Sequence, residues 1–145
     1  MNSPLNVKQW AIASVAAFVA MAVIEFLVHG VMLSSWYMEY PSYWRTQEQM
    51  MSKMPWMYAG YLFFAGLFSY IYTRGYEGKS GVGEGMRYGM LVGALIGIPK
   101  MFIDHAVFYY PGKIVVGWGV SMLVMCTILG MVVGLIYKGS ASKTA

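Results

Sequence analysis

Gly85-Met86-Arg87-Tyr88-Gly89-Met90-Leu91-Val92-Gly93-Ala94-Leu95-Ile96-Gly97 is the most constrained stretch of this chain. Its glycines recur every fourth residue. At about 100° per residue they fall on one narrow, slowly drifting stripe of a helix, and the positions between them are mostly apolar. In lipid no hydrophobic force draws helices together, so close backbone approach and dispersion contacts decide association. A stripe without side chains permits that approach. Gly130-x-x-x-Gly134 offers a second small-residue pair, and Ala13 and Ala17 share the interval. The preferred reading is packing inside the chain's own bundle. The alternative is a homo-oligomer or docking on a partner subunit.

The rest of the chain supports the lipid setting. Hydrophobic residues make up 59% of it and charged residues 11%, against roughly 25% charged in soluble domains. Mean hydropathy is +0.55. The net charge of +4 comes from basic residues scattered singly between apolar runs, which argues against a nucleic-acid partner. Cys126 stands alone in an apolar run, so no intramolecular disulfide can form, and a buried inert thiol is expected.

Four runs approach the length of about 20 residues that a bilayer crossing needs. They extend from about Trp10 to Leu33, Pro55 to Thr73, Gly85 to Tyr109 and Ile114 to Tyr137. The first has a lysine before it and Ala20-Met21-Ala22 within it, as a cleaved signal would. Its apolar run continues well past Ala22, so an uncleaved span is expected. Pro55 suits a first helical turn, and the aromatics at the ends of the second span suit the membrane interfaces. The expected fold is all-α: residues 1–145 as a single transmembrane domain, an integral membrane four-helix bundle with a short interfacial outer helix.

With both termini cytoplasmic, Lys8, Arg74, Lys79, Arg87, Lys138 and Lys143 lie inside, and only Arg45, Lys53 and Lys113 lie outside. That bias favours this orientation. In the outer loop, 34–54, Tyr43, Trp44, Gln47, Met50, Met51 and Met54 recur at helical spacing, as in a helix lying flat on the surface. The inner loop, 74–84, contains Gly78-Lys79-Ser80, like the end of a phosphate-binding loop. Thr73 stands where that motif needs its first glycine, which excludes nucleotide binding. A small polar tail, 139–145, is expected to fray.

Ionisable residues within spans are costly and mark sites. Glu25 and His29 stand one turn apart on the first span, and Lys100, Asp104 and His105 follow Pro99 on the third. From a rise of about 1.5 Å per residue, Glu25 lies about 22 Å and His29 about 28 Å from the inner end; Lys100 and Asp104 lie about 18 and 24 Å up. All fall in the outer half. Lys100 points along the glycine direction, Asp104 about 40° from it and His105 roughly 140° away. If the glycine stripe meets the first span, Glu25, His29, Lys100 and Asp104 converge.

Three uses of the cluster remain open. One is a structural ion pair of Lys100 with Glu25 or Asp104. The second is a small-ligand site or proton relay built from Glu25, His29, Lys100, Asp104 and His105. The third is a transition-metal site (zinc, iron or copper) using Glu25, His29, Asp104 and His105, which the Lys100 cation opposes unless it pairs with a carboxylate. Separately, Met51-x-x-Met54-x-x-Met57 beside Met50 raises copper, since thioethers favour Cu(I). Lipid anchoring by a flexible apolar face is the preferred reading of those methionines.

Glu25-Phe26-x-x-His29-Gly30-x-x-Leu33, Tyr43-Trp44-Arg45, Gly75-Tyr76-Glu77-Gly78-Lys79 and Gly83-Glu84-Gly85-x-Arg87-Tyr88-Gly89 together resemble a group of small uncharacterised bacterial four-span inner-membrane proteins. The resemblance implies a multi-pass inner-membrane location and no activity, and it covers neither Lys100 nor Asp104-His105. No nucleophile–base pair or cofactor motif marks an enzyme. The expected function is a non-catalytic accessory or assembly subunit of a larger membrane complex, with other membrane subunits or a second copy as partners. The alternative is a small ligand, proton or transition-metal binding or transport protein that uses the outer cluster.

Overall fold

A computed structural model describes residues 5–78 and 81–141, and among these there is no strand. Helix α1 (Val7–Glu25) begins at Asn6, whose side chain accepts the Gln9 N–H at 3.2 Å. It passes without a break into a π-helical segment, Phe26–Met32, whose wider winding shows in the Leu33 N–H bond to the Val28 carbonyl at 2.8 Å. Two short pieces follow, helix α2 (Ser34–Met38) and a 3-10 turn (Pro41–Tyr43). Three long helices complete the chain: α3 (Gln47–Gly75), α4 (Gly81–Val107) and α5 (Gly112–Ala141).

The flat surface helix expected across Tyr43–Met54 does not form. Tyr43 closes the 3-10 turn, Trp44 is extended, and Gln47–Met54 are the opening turns of α3. The reason is a capping box. Thr46 Oγ1 accepts the Gln49 N–H at 3.3 Å, and Gln49 Oε1 accepts the Thr46 N–H at 3.1 Å, so the helix starts there with two orphan donors satisfied. Pro55 therefore lies inside α3 rather than in its first turn. The short helix of the connection is α2.

Three segments are long and apolar enough to cross a bilayer: Val7–Met32, Gly81–Val107 and Gly112–Tyr137. Their outward faces are oily, with Leu91 72% and Leu95 74% exposed, as a membrane protein requires. Helix α3 is 29 residues long, about 43 Å at the helical rise, but the polar tips of Trp56, Tyr58, Tyr61, Tyr70 and Tyr72 keep it out of that apolar set. The ends differ slightly from the sequence reading. The first span opens at Val7, α4 covers Gly81–Val107, and α5 continues into the expected tail as far as Ala141. Lys79, Ser80 and residues 142–145 lie outside the described residues, as does the side chain of Lys138. The Gly78-Lys79-Ser80 motif and part of the inner charge count therefore fall there.

Helix α1 lies between α3 and α5, and α5 packs against α4 along their full length. The core is Ala13, Ala17 and Met21 of α1, Ala65, Phe68 and Tyr72 of α3, and Met125, Cys126, Leu129, Val133 and Tyr137 of α5. The glycine stripe faces α5 rather than α1. A Cβ on Gly85 would lie 2.0 Å from the Gly130 carbonyl oxygen, one on Gly89 2.1 Å from that of Cys126, and one on Gly134 1.9 Å from that of Gly81. At Gly93 and Gly97 the nearest atoms are Leu123 Cα, 2.9 Å, and the Gly119 oxygen, 3.0 Å. The α4 and α5 backbones touch, which only residues lacking a side chain allow.

Candidate functional site

At the end of the bundle away from the chain termini, α1 turns π-helical immediately after Glu25. His29 lies four residues on, and its Nε2 is 3.2 Å from Glu25 Oε2. On the imidazole's other side, Nδ1 is 2.5 Å from the Tyr37 hydroxyl of α2. That hydroxyl also accepts the Trp118 indole N–H from α5 at 2.8 Å. An indole N–H can only donate and a carboxylate can only accept, so Tyr37 receives from Trp118, a neutral His29 gives its Nε2–H to Glu25, and its Nδ1 accepts the Tyr37 proton. The hydrogen-bond network thereby assigns the tautomer. His29 carries its proton on Nε2 and donates it to Glu25. Tyr61 of α3 donates to the same carboxylate oxygen at 3.4 Å. A run of donors from Trp118 through Tyr37 and His29 thus ends on one carboxylate. Burial raises the Tyr37 phenol pKa, with the Trp118 bond opposing and the Glu25 charge adding to the rise; the hydroxyl stays a donor at neutral pH.

Lys100 and Asp104, one turn apart on α4, form an ion pair at 2.5 Å. Asp104 is buried and the Lys100 side chain is 54% exposed, its ammonium 5.9 Å from the Trp118 ring centre. The lysine therefore pairs with Asp104 and not with Glu25. His105 is exposed on another face of α4 and joins neither group.

Three clefts meet at His29, beside its partner Glu25. One of about 320 Å³ between α1, α4 and α5 is lined by Glu25, His29, Lys100 and Asp104, with Gly97 and Gly119 leaving the space. The four ionisable residues do share a cleft, although the glycine stripe meets α5 and not α1. A second, of about 600 Å³, lies under the 34–46 connection and is lined by His29, Tyr37, Trp44, Arg45, Met50 and Trp118. The third, of about 380 Å³, runs between α1 and α3 beside Glu25, His29, Met54, Met57, Tyr58 and Tyr61. His29 borders all three and Glu25 the first and third.

The connection is held over the site by aromatic packing. Trp44 lies 5.1 Å from Tyr37, 5.6 Å from Tyr110 and 6.0 Å from Trp118, ring centre to ring centre. Its indole donates to the Tyr37 carbonyl at 3.1 Å, and Lys113 pairs with Glu39. Sequence reasoning did not single out Tyr37, Trp118 or Tyr61. The only signal in the sequence was the density of aromatics near the ends of the spans.

The metal candidates divide. Met54 and Met57 join Glu25 and His29 in the third cleft, Met50 lines the second, and Met51 is exposed and lines none of the three. Asp104 and His105 do not complete a ligand set. Among the described residues no three His, Cys, Asp or Glu side chains gather as metal ligands. Comparison with protein families, with curated proteins and with solved structures gives no match.

Proposed function

We propose that the chain is a four-span protein of a bacterial inner membrane, with both termini cytoplasmic, which binds a small ligand, a proton or a metal ion at the Glu25–His29 dyad. Helix α3 is the fourth span in this reading. It is long enough, it packs beside α1, and it presents Trp56, Phe63, Leu67 and Ile71 outward. The excess of lysine and arginine near the opposite end puts the dyad on the outer side.

The observation that carries the reading is the directed hydrogen-bond chain Trp118–Tyr37–His29–Glu25 at the point where three clefts open. A neutral imidazole with a carboxylate behind it can take up a proton and spread the charge over two groups. The accessory-subunit reading came from a packing signal stronger than the site signal, with docking of the glycine face on a partner only the less favoured use of that face. In this fold α5 covers that face, so it no longer speaks for a partner.

The chain has two histidines, so His105→Asn leaves His29 alone to report. Carbethoxylation of that variant in lipid vesicles should modify His29 in the folded protein. It should run faster with Tyr37→Phe added, which frees Nδ1. A His29 that reacts only after unfolding in dodecyl sulfate, in both variants, would mean that no ligand reaches it and would overturn the reading.

A further inference from the structure

We infer that the α1–α3 cleft is a Cu(I) site, with the Met54 and Met57 thioethers and the His29 imidazole as ligands and the Glu25 carboxylate beside them. The inference rests on the dyad being a ligand site and names its ligand.

Met54 and Met57 lie three residues apart, on one face of α3. The same face carries Tyr58 and Tyr61, and it looks across a cleft of about 380 Å³ at Glu25 and His29. This arrangement exists because the capping box at Thr46 makes Gln47–Met54 part of α3. Were those residues a separate helix on the surface, the sulfurs would be placed independently of His29. Thioethers are soft, neutral donors that select Cu(I), and imidazole suits it too. The hard and borderline divalent ions are disfavoured for lack of partners, since among the described residues no third His, Cys, Asp or Glu joins Glu25 and His29 as a ligand set.

Charge favours the same ion. The Lys100 ammonium would repel a cation, but it is paired with Asp104 and borders a different cleft. The third cleft is left with one carboxylate to balance one monovalent cation. Coordination through Nε2 needs that nitrogen free of its proton. The imidazole changes tautomer, so that Nδ1–H donates to the Tyr37 oxygen, the hydroxyl proton turns to another acceptor, and no net proton is released. A ligating histidine whose other nitrogen donates to an oriented partner is the usual arrangement around such metals. No electron moves, because copper enters and stays as Cu(I).

The test uses the full chain in dodecyl maltoside under anaerobic conditions, with Cu(I) supplied as its bicinchoninate complex. The wild type should withdraw about one copper per chain from the coloured complex, and X-ray absorption should show both sulfur and nitrogen neighbours. Met54→Leu with Met57→Leu, a swap that roughly conserves volume, should weaken competition at least tenfold. Met51→Leu with Met90→Leu, which alters exposed methionines that line none of the three clefts, should leave it unchanged. Equal loss in both pairs, retention of wild-type affinity by the Met54/Met57 pair, or failure of the wild type to take copper would each overturn the proposal. If copper fails while His29 still carbethoxylates in the folded protein, the ligand assignment falls and the dyad remains a ligand site. If His29 is sealed, the parent reading falls, and that result does not depend on copper.

Discussion

Replacing Gly89 with alanine tests whether the α4–α5 contact is backbone on backbone. The added Cβ would meet the Cys126 carbonyl oxygen at 2.1 Å, its carbonyl carbon at 2.8 Å and Thr127 Cα at 2.9 Å. All three are main-chain atoms of α5, so no side chain can swing aside. Reaching ordinary contact at 3.4 Å requires a local retreat of about 1.3 Å, more than the 0.5–1 Å gap that already forfeits about a quarter to a half of a dispersion well. Overpacking costs about 1–3 kcal/mol, and a backbone obstacle belongs at the upper end. The better helix propensity of alanine offsets about 1 kcal/mol. The net expectation is about 2 kcal/mol of destabilisation, or roughly a thirtyfold change in the unfolding equilibrium at about 1.4 kcal/mol per tenfold. Gly66 is the control, since a Cβ there meets nothing within 4 Å; Gly66→Ala should gain about 1 kcal/mol from propensity alone. Both variants can be compared by reversible unfolding in mixed maltoside–dodecyl sulfate micelles followed by far-UV circular dichroism. A Gly89→Ala protein as stable as Gly66→Ala would refute the close approach of α4 and α5.

Two further predictions concern the site and its support. Lys100→Met strands the buried Asp104 carboxylate, which should cost about 1–3 kcal/mol. The same unfolding assay should show much of that recovered when Asp104→Asn is added, and no recovery would mean the pair is not what holds the two helical turns. Thr46→Ala removes the acceptor for the Gln49 N–H and should cost about 1 kcal/mol. Amide exchange at Gln49–Met51 should accelerate, and unchanged protection there would show that α3 does not begin at this cap.

The helical class and the membrane-length runs could be read from the sequence because they depend on local composition and period. The runs around Val15, Leu95 and Leu129 are long and nearly free of charge, and such segments have one stable form in hydrocarbon. The start of α3 was harder. Pro55 invited a helix beginning at its own first turn, while Thr46 and Gln49, read singly, were unremarkable polar residues; their reciprocal bonds outweigh the missing proline N–H. The π-helical segment after Glu25 has no mark in the residue pattern, because it is a change of winding and not of composition. Glu25 and His29 were identifiable as expensive residues in an apolar run. Tyr37 and Trp118, which decide the imidazole tautomer, were not, since aromatic residues are common wherever membrane helices end.

The sequence by itself determined that the chain is helical, that much of it suits a lipid environment, and that glycines at four-residue intervals leave one helix face bare. These follow from the period of the helix and from the cost of charge in hydrocarbon, both of which act within a single segment. Only the tertiary structure decided that α5 covers the bare face, that Lys100 is satisfied by Asp104, and that Met54 and Met57 share a cleft with His29. Each of these depends on the rotation and order of helices that are distant in the chain, and no local pattern encodes how one cylinder is turned against another.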